Sequence, residues 1–151
     1  MSGALTGQIG GMFGLARLGI IGGILASLLA LVTGWLVHWL GGFPAVIALT
    51  LAAFVLAHRA SRIGDVALDC FAGQLLALWA LSGGLWFAGV APHIFPWPGV
   101  VGSFVIFTLF RFLPPMRALR RRGAIFDDMA AGATAAAVTL LSAAISHGWI
   151  G

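Results

Sequence analysis

The sequence predicts an all-α, polytopic membrane protein with about five membrane helices, and three observations carry that reading. Of 151 residues, 61% are hydrophobic and 8% are charged, where a soluble domain carries about 25% charged residues. Mean hydropathy is +1.08. Apolar runs recur along the chain between turns rich in Gly and Pro, and a spanning helix needs about 20 mostly apolar residues, fewer when it is packed inside protein. A soluble domain could not cover its surface with so few charges. Lipid is therefore the solvent for most of this chain.

Five segments qualify as spans. The first runs from about Leu18 to Leu40, after an apolar, Gly-rich lead that can lie on the membrane. The second, from about Phe43 to Ala57, is short, and the third covers about Val66 to Val90. The fourth runs from about Gly99 to Leu113 and the fifth from about Phe126 to Ile145. Gly41 to Pro44, and the run Pro92-His93-Ile94-Phe95-Pro96-Trp97-Pro98, are turn chemistry separating them. The length accommodates one domain, residues 1–151. Short second and fourth spans call for shielding by a neighbouring helix or by a second copy in a homo-oligomer.

The net charge of +4 comes from eight arginines, with no lysine. Arg17 precedes the first span, Arg59 and Arg62 follow the second, and Arg111, Arg117 and Arg120 to Arg122 lie between the fourth and fifth. In an up-down arrangement all eight share one side, which the positive-inside rule makes cytoplasmic. The N-terminus is then inside and the C-terminus outside. Trp35, Trp39, Trp97 and Trp149 fall near the opposite interface, as an aromatic belt does. Arginines that flank apolar spans form no basic groove, so nucleic acid is excluded as a partner. The first apolar run does not read as a signal peptide, because no small-residue cleavage site and soluble mature domain follow it. Small residues crowd the first span (Gly19, Gly22, Gly23, Ala26, Ser27) and the fifth (Ala130 to Ala133, Ala135 to Ala137), where they let helices approach closely in lipid.

The acids are Asp65, Asp69, Asp127 and Asp128, all on the arginine side. A carboxylate in a membrane costs at least ~2.5 kcal/mol, so it is kept for a reason. Capping is the plain explanation, since Asp near a helix N-terminus meets free N–H groups and the positive end of the dipole. That explanation suffices for Asp65, which lies in a loop. Adjacent helical residues point about 100° apart, so Asp127 and Asp128 cannot both cap. With Asp69 from another helix they offer oxygens to a hard cation such as Mg²⁺. Arg111, at an apolar helix end, calls for a buried partner, whereas Arg120 to Arg122 suit topology and attraction to anionic lipid. The histidines at 38, 58, 93 and 147 lack metal-ligand spacing. Cys70 has no cysteine partner and reads as a packing residue.

Phe107-Thr108-Leu109-Phe110-Arg111-Phe112, then Arg117, then Phe126-Asp127-Asp128-Met129-Ala130-Ala131-Gly132 resemble the C-terminal half of the bacterial phosphatidylglycerophosphatase A family. Leu68-Asp69-Cys70-Phe71-Ala72-Gly73 resembles its D-E-x-x-G segment, and Gly22 to Ser27 loosely echo its N-terminal G-T-x-G-S. The likeness follows order and hydropathy over about 130 residues and is specific over about 30. Cys70 stands where the family has an acid, Pro114 where an acid follows the arginine, and Ala118 where it has proline. The resemblance implies Mg²⁺-dependent removal of the terminal phosphate from phosphatidylglycerophosphate at the cytoplasmic face of the inner membrane. It implies Asp69, Asp127 and Asp128 as catalytic, metal-binding acids, with Arg111 and Arg117 on the substrate phosphate. Loss of two family acids supports the alternative of a catalytically impaired scaffold or lipid-binding relative. A transporter ranks behind both, because transport sites usually place polar groups near the midplane.

Overall fold

The computed structural model describes residues 12–60, 67–94, 96–119 and 125–146, and among the described residues there is no strand. A 3-10 helix, Met12–Leu18, leads into α1 (Ile20–Ala60). There follow α2 (Leu68–Ala77), α3 (Trp79–Phe87), α4 (Trp97–Arg111), the short α5 (Pro114–Leu119) and α6 (Phe126–Ser146). Three stretches are long and apolar enough to cross a membrane: Ile20–Ala60, Leu68–Phe87 and Phe126–Ser146. α4 is apolar but has 15 residues, about 22 Å of helix.

α1 has 41 residues, which as one rod would extend about 60 Å, twice the hydrocarbon thickness. It is broken inside the sequence-predicted turn, at Gly42, where φ is 67° and ψ is −164°. Pro44 then sits in the first turn of the second arm, where its missing N–H costs no helical hydrogen bond. Gly34 and Thr50 lie eight residues either side of the break. Gly34 packs against Leu75 and Leu78, while Thr50 Oγ1 accepts a 3.0 Å hydrogen bond from Trp79 Nε1. Both arms therefore lie against one level of α2–α3.

α2 and α3 continue one another through Leu78, whose φ of −73° and ψ of −13° stay helical. The Leu78 N–H donates to the carbonyls of Gln74 and Leu75, and Ser82 N–H donates to Leu78 O. The rod tightens there without breaking, and it is the most enclosed of the three long stretches. α4 starts two residues before the predicted Gly99, because Pro98 is compatible with a first helical turn. α6 spans nearly the predicted residues.

Size, more than polarity, decides which face of α1 turns inward. Along α1 the buried positions are mostly small: Gly22, Gly23, Ala26, Ser27, Ala30 and Gly34 in the first arm, Ala53, Ala57 and Ala60 in the second. The large residues Ile20, Ile21, Leu25, Leu28, Leu29, Val32 and Leu36 face outward. Apolar outer faces suit lipid, and small inner faces bring backbones close enough for dispersion to hold them. The buried hydroxyls of Ser27 and Thr50 donate to the carbonyls four residues back, and His38 Nδ1 lies 2.8 Å from Ser82 Oγ. No buried polar group of this set is left to face hydrocarbon.

At Gly42 the positive φ strains any L side chain, and an added Cβ would overlap the Trp86 ring. Gly42→Ala should therefore lower stability in detergent by at least the ~1–2 kcal/mol of a left-handed alanine. Comparing unfolding midpoints checks this, and Trp86→Ala in the same chain should recover the part due to overlap alone.

Candidate functional site

α2 and α6 both open with acid in the first turn: Asp69 in one, Asp127 and Asp128 in the other. Four residues after Asp69 comes Gly73, and four after Asp128 comes Gly132. Residues spaced by four share a helix face, so each carboxylate stands above a glycine. The two glycines meet. A Cβ on Gly132 would overlap Gly73 O, and one on Gly73 would come within 2.5 Å of Asp128 O. Only glycine lets the two backbones touch here, and that contact sets the first turns of α2 and α6 side by side.

The result is a buried polar cluster. Ligand atoms of Asp69, Cys70 and Asp128 all lie within 4.8 Å of one another, and the three residues are 5%, 2% and 1% exposed. Asp69 Oδ1 accepts the Cys70 backbone N–H at 2.8 Å, which satisfies one donor of the α2 N-terminus. Arg111, the last residue of α4, brings its Nε to 2.8 Å from Asp128 Oδ1. The other side of the guanidinium lies over Gly23 of α1, where a Cβ would strike Nη1. Its carbon stands 5.8 Å from the Phe112 ring centroid. Four helices thus contribute to one point: α1 through a missing side chain, α2 and α6 through acids, and α4 through a cation.

Compared with family models, curated proteins and solved structures, the chain matches none. The site is read on its own chemistry.

Of the residues singled out in the sequence, Asp69, Asp128 and Arg111 converge. Asp127 is buried beside them at 6% exposure but does not belong to the three-residue cluster. Arg117 lies in α5, with its side chain outside the described residues, as are Asp65, Arg62 and Arg120 to Arg122. Cys70, expected to be a packing residue, does pack in the buried core, and its sulfur also lies within 4.8 Å of the Asp69 and Asp128 oxygens. The signal that would have found it is its place between Asp69 and Gly73, which orients that turn toward α6. The roles of Gly23, Gly73 and Gly132 are likewise steric and needed the fold to be seen. Among the described residues, the cluster holds no histidine, and His38 is engaged instead with Ser82.

The donor set can be tested against a divalent ion. Asp69 and Asp128 suit Mg²⁺, which is commonly bound through one or two carboxylates and completed by water and phosphate oxygens. The third member does not suit it, because a thiol is a soft ligand and Mg²⁺ takes oxygen. The residues fit a divalent cation in number and spacing, and fit Mg²⁺ through the carboxylates alone.

Removing Arg111 would leave Asp128 buried without its cation, a change that typically costs about 3–5 kcal/mol. Arg111→Met should accordingly lower the unfolding midpoint strongly. Combining it with Asp128→Asn should restore much of the loss, a coupling that a double-mutant cycle in detergent measures directly.

Proposed function

We propose that the chain is a phosphomonoesterase of anionic phospholipids, hydrolysing phosphatidylglycerophosphate to phosphatidylglycerol and inorganic phosphate. The observation that carries this reading is the convergence of Asp69, Asp128 and Arg111, from three helices, on one buried point. The likeness of Arg111, Asp127, Asp128 and Gly132 to phosphatidylglycerophosphatase A adds the substrate class. The cluster opens helices near the chain's arginines, which is where a lipid headgroup would lie if those arginines mark one membrane face.

In this reading Asp69 and Asp128 would hold Mg²⁺, which would supply polarisation of the phosphate oxygens and orientation of the attacking water. Arg111 Nε is engaged by Asp128, so the carboxylate fixes the plane of the guanidinium. Its terminal nitrogens, bordering Gly23, are the edge a phosphate meets, with paired N–H donors matched to two oxygens. Arg117, on α5 directly after α4, supplies a second cation for charge that develops on the phosphoryl group. By the likeness to the family, Asp127 would be a third acid toward the metal. A water oxygen bonds phosphorus, the bond from phosphorus to the glycerol oxygen breaks, and that oxygen leaves with a proton that the attacking water gives up.

The membrane placement in this proposal is a five-span chain in a bacterial inner membrane, N-terminus and cluster cytoplasmic, C-terminus outside. Five spans follow if the two arms of α1 cross separately and α4 crosses as a short helix. Cys70 is buried, so introduced cysteines can report sidedness. An impermeant maleimide should label Ser146→Cys in intact cells and Ala118→Cys only after lysis; the reverse pattern would invert the topology.

One observation favours a second reading. Asp128 is already ion-paired, as expected of a non-catalytic scaffold that uses the acids to hold helices together. The two readings separate on turnover. Purified protein should release phosphate from phosphatidylglycerophosphate with Mg²⁺ and not with EDTA. Asp69→Asn and Asp128→Asn should reduce the rate at least ~100-fold, the scale on which a single electrostatic group in an active site counts. Absence of turnover above the Asp128→Asn background, in protein that remains folded, selects the scaffold.

A further inference from the structure

The misfit between a thiol and Mg²⁺ points to a different preference. We propose that Asp69, Cys70 and Asp128 form a mixed carboxylate–thiolate site that binds a thiophilic divalent cation such as Zn²⁺ or Co²⁺, with Cys70 Sγ as a direct ligand. This deepens the cation-site part of the proposed function and does not depend on turnover.

Two observations carry it. The first is the geometry of the three groups. Zn²⁺ takes sulfur at about 2.3 Å and carboxylate oxygen at about 2.0–2.2 Å, so neighbouring ligands in a tetrahedral site lie about 3.5 Å apart. Groups within 4.8 Å of one another need close by little more than an ångström to reach that geometry. Asp69 and Cys70 are consecutive in the first turn of α2, and Asp128 comes from the first turn of α6. The Gly73–Gly132 contact holds those two turns together. Three protein ligands with a fourth position left open is also the usual plan of a reactive zinc site.

The second observation is the state of Asp69. It is 5% exposed, it is hydrogen-bonded by both the amide and the side chain of Cys70, and among the described residues it has no ion pair to an arginine. Arg111 Nε goes to Asp128. A buried carboxylate that keeps its charge is ordinarily paired with a cation or coordinates a metal. A divalent ion between Asp69 and Asp128 would meet that need, and Cys70 Sγ is the third atom within reach. Binding through sulfur requires the thiol to lose its proton, so uptake of the cation releases that proton to solvent.

Sulfur is what makes the proposal specific, since Zn²⁺ exceeds Mg²⁺ in affinity at many oxygen sites too. The test is Co²⁺ titration of full-length protein in detergent after chelator treatment. Wild-type protein should develop a thiolate-to-cobalt charge-transfer band in the near ultraviolet that saturates at one ion per chain and is displaced by Zn²⁺. Cys70→Ser should abolish the band. It should also weaken Zn²⁺ binding by more than the about 10–100-fold that loss of an outer-shell partner costs, with Mg²⁺ binding little changed. Cys70→Asp should shift preference toward Mg²⁺.

Cobalt binding without the band, or Zn²⁺ affinity equal in wild type and Cys70→Ser, overturns the proposal. So does failure of the wild-type protein to bind cobalt at all; because that readout is taken on the unaltered chain, misfolding of a variant cannot mask it. Phosphate release with Mg²⁺ and no cobalt–thiolate band would remove this inference and leave the phosphatase reading standing. A saturable band in protein without turnover would do the opposite.

Discussion

The contact between Gly73 of α2 and Gly132 of α6 is the constraint on which the site depends. Two backbones touch there with no side chain between them. One turn away, on the same faces, stand Asp69 and Asp128. Bringing two acids together in a low-dielectric interior is unfavourable by itself, so other contacts must supply the free energy for it. They include the Arg111–Asp128 pair at 2.8 Å, the Cys70 amide on Asp69, and the dispersion gained where helices lie close. Gly23 completes the arrangement by leaving room for the guanidinium.

The same physics shapes the rest of the chain. Lipid offers no hydrophobic drive between helices, and the inner face of α1 is lined mostly with Gly, Ala and Ser while most of its Leu, Ile and Val face out. Polar side chains inside the bundle are paired across helices at the far end from the acids as well. His38 meets Ser82, and Trp79 meets Thr50. Those pairs tie both arms of α1 to the α2–α3 rod, and so keep Gly23 of the first arm in register with Arg111. Stability at one end of the bundle and geometry at the other are therefore linked through α1.

A buried ion pair of this kind can serve structure or chemistry. The Asp128 carboxylate is fully enclosed, and its engagement with Arg111 orders both groups. An enzyme gains from that order, because donors held in place need no reorganisation as charge develops. A scaffold gains from it too, since loss of either partner strands a charge. Asp69 separates the two, because its carboxylate lies in the cluster without an arginine of its own among the described residues. A cation bound beside Asp69 is what the enzymatic proposal requires and the scaffold does not.

Composition and hydropathy were enough to read an all-helical membrane chain, since eight arginines and four acids cannot solvate the surface of 151 residues. The ends of α6 and the break near Gly42 were legible as well, because Asp-Asp and Gly-Gly-Phe-Pro carry local backbone preferences that need no partner. The candidates Asp69, Asp128 and Arg111 stood out because charge is rare and costly in an apolar sequence. Their meeting was beyond the sequence, as was the place of Cys70 within the cluster and of Asp127 outside it. Which acids face one another depends on how helices rotate about their axes, and in lipid hydrophobicity does not choose the inner face. Glycine does, through contacts between residues 59 positions apart in the chain, Gly73 and Gly132, and only the folded structure brings these together.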